Sequence, residues 1–194
     1  SRAVSTQNSK GVEFLFKKNK ITWIKGTGTL GPNLSLKVTT SDGKTETHTA
    51  TKGIVVATGS RVRGLPQAGL ELNKTTVISS DDALVLEKAP KSIAIVGAGA
   101  VGCEFADVFA AFGAKVTLLE VLPRMLPLED EDSSKDVARA FKKRGIEVIA
   151  GAKISGVEVG KESVALTVEA GGEKQQLEVE RVLVAAGRAP NIEN

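Results

Sequence analysis

Apolar positions change their period several times along the chain, and the changes mark out its elements. Ser92 to Val96 is a short β-branched apolar run, followed by Gly97, Gly99 and Gly102. From Val101 the spacing turns helical, with Val101, Phe105, Val108, Phe109 and Phe112 on one face. Gly113 is placed to end that helix. Val116 to Leu119 is a second apolar run and closes on Glu120. Val137 and Phe141 recur at helical spacing behind a start expected at Ser133 or Ser134, and Gly145 ends this helix. Ile146 to Ile149 reads as a third strand. Residues 91–149 therefore predict β-α-β-α-β, which requires right-handed crossovers and a parallel sheet.

The flanks alternate instead. Val12, Leu15 and Phe16 give the stripe of a short helix ending near Lys20, and Ile21 to Ile24 turns β-like. Leu34, Leu36 and Val38, then Thr45, Thr47 and Thr49 across a Ser41-Asp42-Gly43 turn, predict an antiparallel meander. Gly53 to Ser60 reads as a buried strand that breaks at a glycine. A linker follows, and Ser79 or Ser80 caps a helix through Leu84 and Leu86. Val157, Val164, Leu166, Val168, Leu177 and Val179 predict a second meander. Arg181 to Ala186 is a last apolar strand, ending at Gly187-Arg188-Ala189-Pro190-Asn191.

The three glycines stand in G-x-G-x-x-G spacing, with a strand before them and a helix after them. In that context Gly97 allows a tight turn and Gly99 lets the backbone approach a pyrophosphate. Gly102 lets the helix pack close, and the helix N-terminus faces the phosphates. Glu120 ends the next strand, where a carboxylate accepts hydrogen bonds from ribose hydroxyls. The alternative is a glycine turn that only packs helix on sheet. The same carboxylate would repel a 2′-phosphate, so NAD is expected rather than NADP, and Glu120→Arg is expected to shift the preference. Arg124 reads as a solvated loop charge and Glu129 to Asp132 as a helix N-terminus, not a metal site. His48 reads as a surface residue. Cys103 reads as a packing residue, although a helix N-terminus can lower a thiol pKa.

Composition narrows the classes. The 194 residues carry a net charge of +3, and the basic clusters Lys17-Lys18 and Lys142-Lys143-Arg144 read as helix ends. With six Phe, one Trp and no Tyr there is little for a base-stacking platform, so no nucleic-acid partner is expected. No uncharged apolar run approaches the roughly 20 residues of a membrane span, and SRAVSTQNSK does not read as a signal peptide. One cysteine excludes an internal disulfide and suits a reducing compartment: the cytoplasm, or a mitochondrial matrix or plastid in a eukaryote.

Three stretches in this order, IVVATGS, KSIAIVGAGAVGCEFA and AAGRAPN, resemble the two-dinucleotide flavoprotein disulfide reductases over nearly the whole chain. The similarity is greatest to the dihydrolipoamide-oxidising branch. It implies an α/β fold: a Rossmann-like NAD domain, with parallel sheet, helices and antiparallel β-meander, flanked by partial FAD-domain β segments. The implied division is 1–62 (partial FAD domain), 63–88 (linker and short helix), 89–181 (NAD domain) and 182–194 (return strand). The NAD residues implied are Gly97, Ala98, Gly99, Ala100, Val101, Gly102, Cys103, Glu104, Glu120, Ile154 and Gly187. Ile154 reads equally as a meander core residue, and Gly187 as a strand-ending turn. Gly28, Thr58, Gly59 and Ser60 match FAD positions, for the longer enzyme only.

The family's first phosphate loop, its C-x4-C redox pair and its His-Glu base have no counterpart among these residues. The chain is therefore expected to be a central portion with no catalytic residue of its own, little FAD and no activity alone. In the longer enzyme the resemblance implies that dihydrolipoamide reduces a disulfide, the resulting dithiol reduces FAD, and FAD passes a hydride to NAD. It also implies a homodimer within 2-oxo acid dehydrogenase complexes. Glutathione or mercuric reductase, a transhydrogenase, or a non-catalytic NAD-binding protein are the alternatives.

Overall fold

The structure, a computed structural model, describes residues 2–192, which divide between two compact units. The first unit runs to Thr58 and takes in Ile192, and the second is Gly59–Asn191. Ser1, Glu193 and Asn194, at the outer ends of the expected domains, lie outside the described residues.

In the first unit, α1 (Arg2–Lys18) begins ten residues before the expected stripe. Its N-terminal half has no apolar face to read. Thr6 and Ser9 hydroxyls instead donate to the carbonyls one turn back, Arg2 and Ser5. Lys20 adopts φ 56° and Ile21 N–H returns to Phe16 O at 2.9 Å, a left-handed closure that carries Ile21 to Ile24 away from any strand. Strands β1 (Thr27–Leu30), β2 (Ser35–Thr39) and β3 (Thr45–Thr49) form the expected antiparallel meander. Among the described residues of this unit only Val38 is buried. The expected strand over Gly53 to Ser60 does not form. Val55 is 90% exposed, and the chain becomes extended in a ladder only from Ser60. β-Branched residues make a strand only where neighbours pack them, and here none does.

The second unit is built on a five-stranded sheet in the order β5 (Val77–Ile78), β12 (Arg181–Val184), β6 (Ser92–Val96), β7 (Lys115–Glu120), β8 (Glu147–Ala150). All four pairings are parallel. Helix α3 (Ala100–Ala111) joins β6 to β7, and α4 (Glu131–Lys143) joins β7 to β8. An antiparallel sheet of β9 (Lys153–Val159), β10 (Val164–Ala170) and β11 (Glu173–Val179) follows, with β10 central. Alternate residues sort the layers. Ile93, Ile95 and Leu183 pack with Phe109 and Phe141 of the helices. Ala94, Val96, Val182 and Val184 pack with Val164, Leu166 and Val168 of the antiparallel sheet. Strands buried on both faces must be apolar throughout, which is why β6 and β12 read as continuous runs.

That burial moves one boundary. The run from Val182, expected to leave for the flanking domain, lies in the middle of the parallel sheet between β5 and β6. The departure comes later, where β13 (Arg188–Pro190) pairs antiparallel with β4 (Ser60–Val62). Helix α2 (Ser80–Ala83) stops short of Leu84. Ser79 and Asp82 form its capping box. The cap of α4 is Asp130, whose carboxylate accepts from Asp132 and Ser133 N–H; Ser134 turns inward and donates to Met125 O at 2.6 Å. The buried face of α3 is Gly102, Cys103, Ala106 and Phe109, while Val101, Val108 and Phe112 are exposed. Among the described residues no helix is long and apolar enough to cross a membrane.

Candidate functional site

Strand order reverses direction at β6: its chain successor β7 lies on one side and β12 on the other. In an open parallel sheet the crevice outside the carboxyl ends at such a point is where ligands bind. The turn Gly97–Gly99 leaves β6 here, and Ala185–Gly187 leaves β12. A cavity of about 650 Å³ opens between them, within the range of small-molecule sites.

The glycines do different work. Gly97 has φ 106°, and a Cβ there would lie 2.6 Å from Ala185 O. At Gly102 a Cβ would run into the Gly97 carbonyl, so the close seat of α3 on β6 requires glycine. At Gly99, the N-cap of α3, a Cβ would meet nothing within 4 Å and would project into open space. Helix geometry leaves the N–H groups of Ala100, Val101 and Gly102 without intrahelical partners. The turn thus offers unpaired donors, a positive helix end and room in front of Gly99, which fits the pyrophosphate of a dinucleotide.

Glu120 stands at the end of β7 on the cavity wall and is 7% exposed. One carboxylate oxygen accepts from Ala98 N–H at 2.8 Å and the other from Leu122 N–H at 2.9 Å. It therefore ties the glycine turn to the start of the next loop, and each oxygen keeps a lone pair for a further donor. Leu126 N–H donates to Ala98 O at 2.7 Å, so the loop after β7 is fastened to the turn from both ends.

Of the residues expected at NAD, Gly97, Gly99, Ala100, Val101, Glu120, Ile154 and Gly187 line this cavity. Ala98, Gly102 and Cys103 are buried beneath it, and Glu104 is exposed on α3 outside the lining. Cys103 donates to Ala98 O at 3.5 Å, and burial, then the charges of Glu120 and Glu104, push its thiol up to about 11. Desolvation and two carboxylates thus outweigh the lowering that a helix end can give, and Cys103 sits in the packing role read from the sequence. Of the residues expected at FAD, Gly28 and Thr58 belong to the first unit and Gly59 and Ser60 to the second. Gly28 sits on β1 across from Val38 and Thr58 closes the first unit. Gly59 (φ 75°) accepts from Asn191 N–H at 3.0 Å, and Ser60 Oγ accepts from Arg188 Nε at 2.7 Å in the second. Sequence reading missed Leu65, Leu128 and Lys153, which reach the lining from three separate segments. It also misjudged Arg124, whose guanidinium is engaged with loop carbonyls.

The chain resembles known proteins in sequence and in fold. The chain is 42% identical over 193 residues to a dihydrolipoyl dehydrogenase of Mycobacterium tuberculosis, covering 100% of this chain and 41% of that one. It is 41% identical over 185 residues to a dihydrolipoamide dehydrogenase of Chaetomium thermophilum, covering 94% and 36%. Among solved structures, LpdA from Mycobacterium tuberculosis superposes with TM-score 0.82 at 25% identity, covering 97% of this chain and 41% of that chain. The HOCl-induced flavoprotein disulfide reductase RclA from Escherichia coli gives 0.70 at 30%, covering 99% and 43%. The chain thus spans about 41% of the length of the Mycobacterium tuberculosis relative. The profile of one family matches residues 2–194, nearly the whole sequence. On that match, and on the ordered motifs and fold behind it, the chain belongs to the pyridine nucleotide-disulphide oxidoreductase family.

Proposed function

We propose that the second unit is the NAD-binding domain of a flavoprotein disulfide reductase, and that the longer protein is a dihydrolipoamide dehydrogenase. The observation that carries this is the cavity at the β6–β12 switch point, with the glycine turn on one side and the Glu120 carboxylate on the other. Gly99 and the first turn of α3 would hold the pyrophosphate, and Glu120 the adenosine ribose. Ile154 would lie on the adenine side and Gly187 at the nicotinamide end. NAD, when bound, supplies the hydride acceptor. The residues of this chain bind and orient it, and we assign none of them a covalent step.

In the longer protein, dihydrolipoamide would reduce a disulfide, the disulfide FAD, and FAD the NAD held here. A homodimer serving 2-oxo acid dehydrogenase complexes follows from the same reading. The likeness to RclA supports a second reading, a flavoprotein disulfide reductase acting on another substrate. Assay of the full gene product with dihydrolipoamide separates the two.

The site itself is tested by calorimetric titration of this chain with NAD and NADP at one salt concentration. A 2′-phosphate would face the Glu120 carboxylate, and like charges so placed cost several kcal/mol, on the order of a hundredfold in affinity. NAD is expected to bind and NADP to bind far more weakly. Tighter NADP binding, or no binding of either, would overturn the proposal. The purified chain is expected to show neither a stoichiometric flavin spectrum nor lipoamide activity.

A further inference from the structure

We infer that Arg124 is a positioning residue of the dinucleotide cavity, acting through the loop that forms one wall of it. The inference rests on the reading of that cavity as an NAD site. Arg124 is half-buried, and its guanidinium points along its own loop. Nη2 donates to Glu129 O at 2.9 Å and to Pro127 O at 3.1 Å, and Nη1 to Leu126 O at 3.4 Å. Three carbonyls within five residues are thus gathered on one planar cation, a geometry suited to a guanidinium fork and not to an ammonium.

The gathered segment is the part of the loop that reaches the site. Pro127 and Leu128 line the cavity beside Glu120. Leu126 is held at φ 47°, a left-handed conformation that side-chain-bearing residues rarely adopt. In that conformation its N–H meets Ala98 O of the glycine turn at 2.7 Å. Ala98 N–H in turn meets Glu120 at 2.8 Å, so the guanidinium, the loop, the glycine turn and the ribose-side carboxylate form one hydrogen-bonded circuit. Without Arg124 the strained residue has less to hold it and the wall loosens. The same bonds direct the cation's donors to the loop carbonyls, so Arg124 does not serve as a 2′-phosphate clamp. Its charge still reaches Glu131, whose carboxyl is held below the usual range chiefly by Lys135 and lastly by Arg124.

The test is Arg124→Lys and Arg124→Met in this chain. It measures Kd for NAD and for ADP-ribose, with amide hydrogen exchange on the ligand-free protein. If the fork positions the loop, both variants raise both Kd values by on the order of tenfold. Leu126 N–H then exchanges faster while the amides of β6 and β7 keep their protection. Wild-type affinity in Arg124→Lys would show that charge alone suffices and would overturn the inference. So would an Arg124→Met Kd within about twofold of wild type. Faster exchange across β6 and β7 as well would mean a general structural role and overturn it too. Failure of the wild-type chain to bind NAD would sink the reading of the site itself, and this inference with it.

Discussion

Replacing Glu120 by glutamine exchanges one oxygen for an NH2 group and leaves the shape of the side chain unchanged. The position is 7% exposed, and both carboxylate oxygens accept backbone N–H groups, from Ala98 at 2.8 Å and Leu122 at 2.9 Å. Glutamine can satisfy one of these. The surviving bond falls from a charge-assisted one to a neutral one, a loss of about 1 kcal/mol. The other N–H then faces a donor and is left unsatisfied, which costs about 1–3 kcal/mol. The sum is about 2–4 kcal/mol, a large part of the 5–15 kcal/mol that holds a typical domain folded. Glu147→Gln is the control, because among the described residues that carboxylate accepts only a hydroxyl, from Thr117 at 3.1 Å, and the residue is exposed; less than about 0.5 kcal/mol is expected there. Urea unfolding should be followed by far-UV circular dichroism, since the single tryptophan, Trp23, lies in the other unit. A Glu120→Gln transition within about 0.5 kcal/mol of wild type would refute the reasoning. Glu120→Arg loses both bonds. It is therefore expected to weaken NAD binding without the gain in NADP affinity that the sequence alone suggests.

The other tests separate packing from recognition. Gly102→Ala drives a methyl into the Gly97 carbonyl and should destabilise the second unit by on the order of 3 kcal/mol in the same urea experiment; an unchanged midpoint would count against the seat of α3 described here. Gly99→Ala meets open space, so its stability cost should stay under about 1 kcal/mol while NAD affinity falls by on the order of tenfold; undiminished affinity would remove Gly99 from the phosphate site. The Cys103 thiol is raised from 9.0 to about 11, so it should react with a thiol reagent at pH 8 only as fast as the chain opens. Because the folded pKa lies above the unfolded one, its contribution to stability is complete below pH 9 and is lost as pH rises toward 11, up to about 2–3 kcal/mol. Wild type should therefore lose more than Cys103→Ala over that range, and parallel curves would show that the burial does not act on the thiol.

Much of the second unit is legible in the sequence because its signals are local. The run Ser92 to Val96, the glycine spacing and the strand ending at Glu120 lie within thirty residues, and each fixes its own backbone. The face of α3 is another matter. The helix is apolar almost all round, so helical spacing fits Val101, Phe105, Val108, Phe109 and Phe112 as well as the small set that is buried. What decides is how near the helix comes to β6, and that follows from Gly102 and Ala106 rather than from the largest side chains. Phe105 stays half-buried and stacks on Phe109 with ring centroids 6.0 Å apart. Ile54 to Val56 failed as a strand for the opposite reason. Its residues suit a sheet, but pairing is supplied by other segments, and composition cannot show whether they are present. In the sequence Arg124 reads as a solvated charge because nothing in spacing reveals that carbonyls two, three and five residues ahead turn back onto it.

The position of Glu120 joins the two kinds of information. A carboxylate at the end of the strand after a glycine turn suggests recognition of ribose, and the sequence needs only its place to say so. The bonds to Ala98 and Leu122 add that the same group builds the turn it would serve. A residue that only recognised the cofactor could change with the cofactor. One that also closes the turn is constrained in the protein without ligand. On the proposed reading, cofactor preference would reside in a buried, doubly bonded acid, and in a loop whose one arginine donates to the loop itself. Conversion to a 2′-phosphate site would require new acceptors for the Ala98 and Leu122 N–H groups, and a new course for residues 121–130, before any cation could reach the ribose.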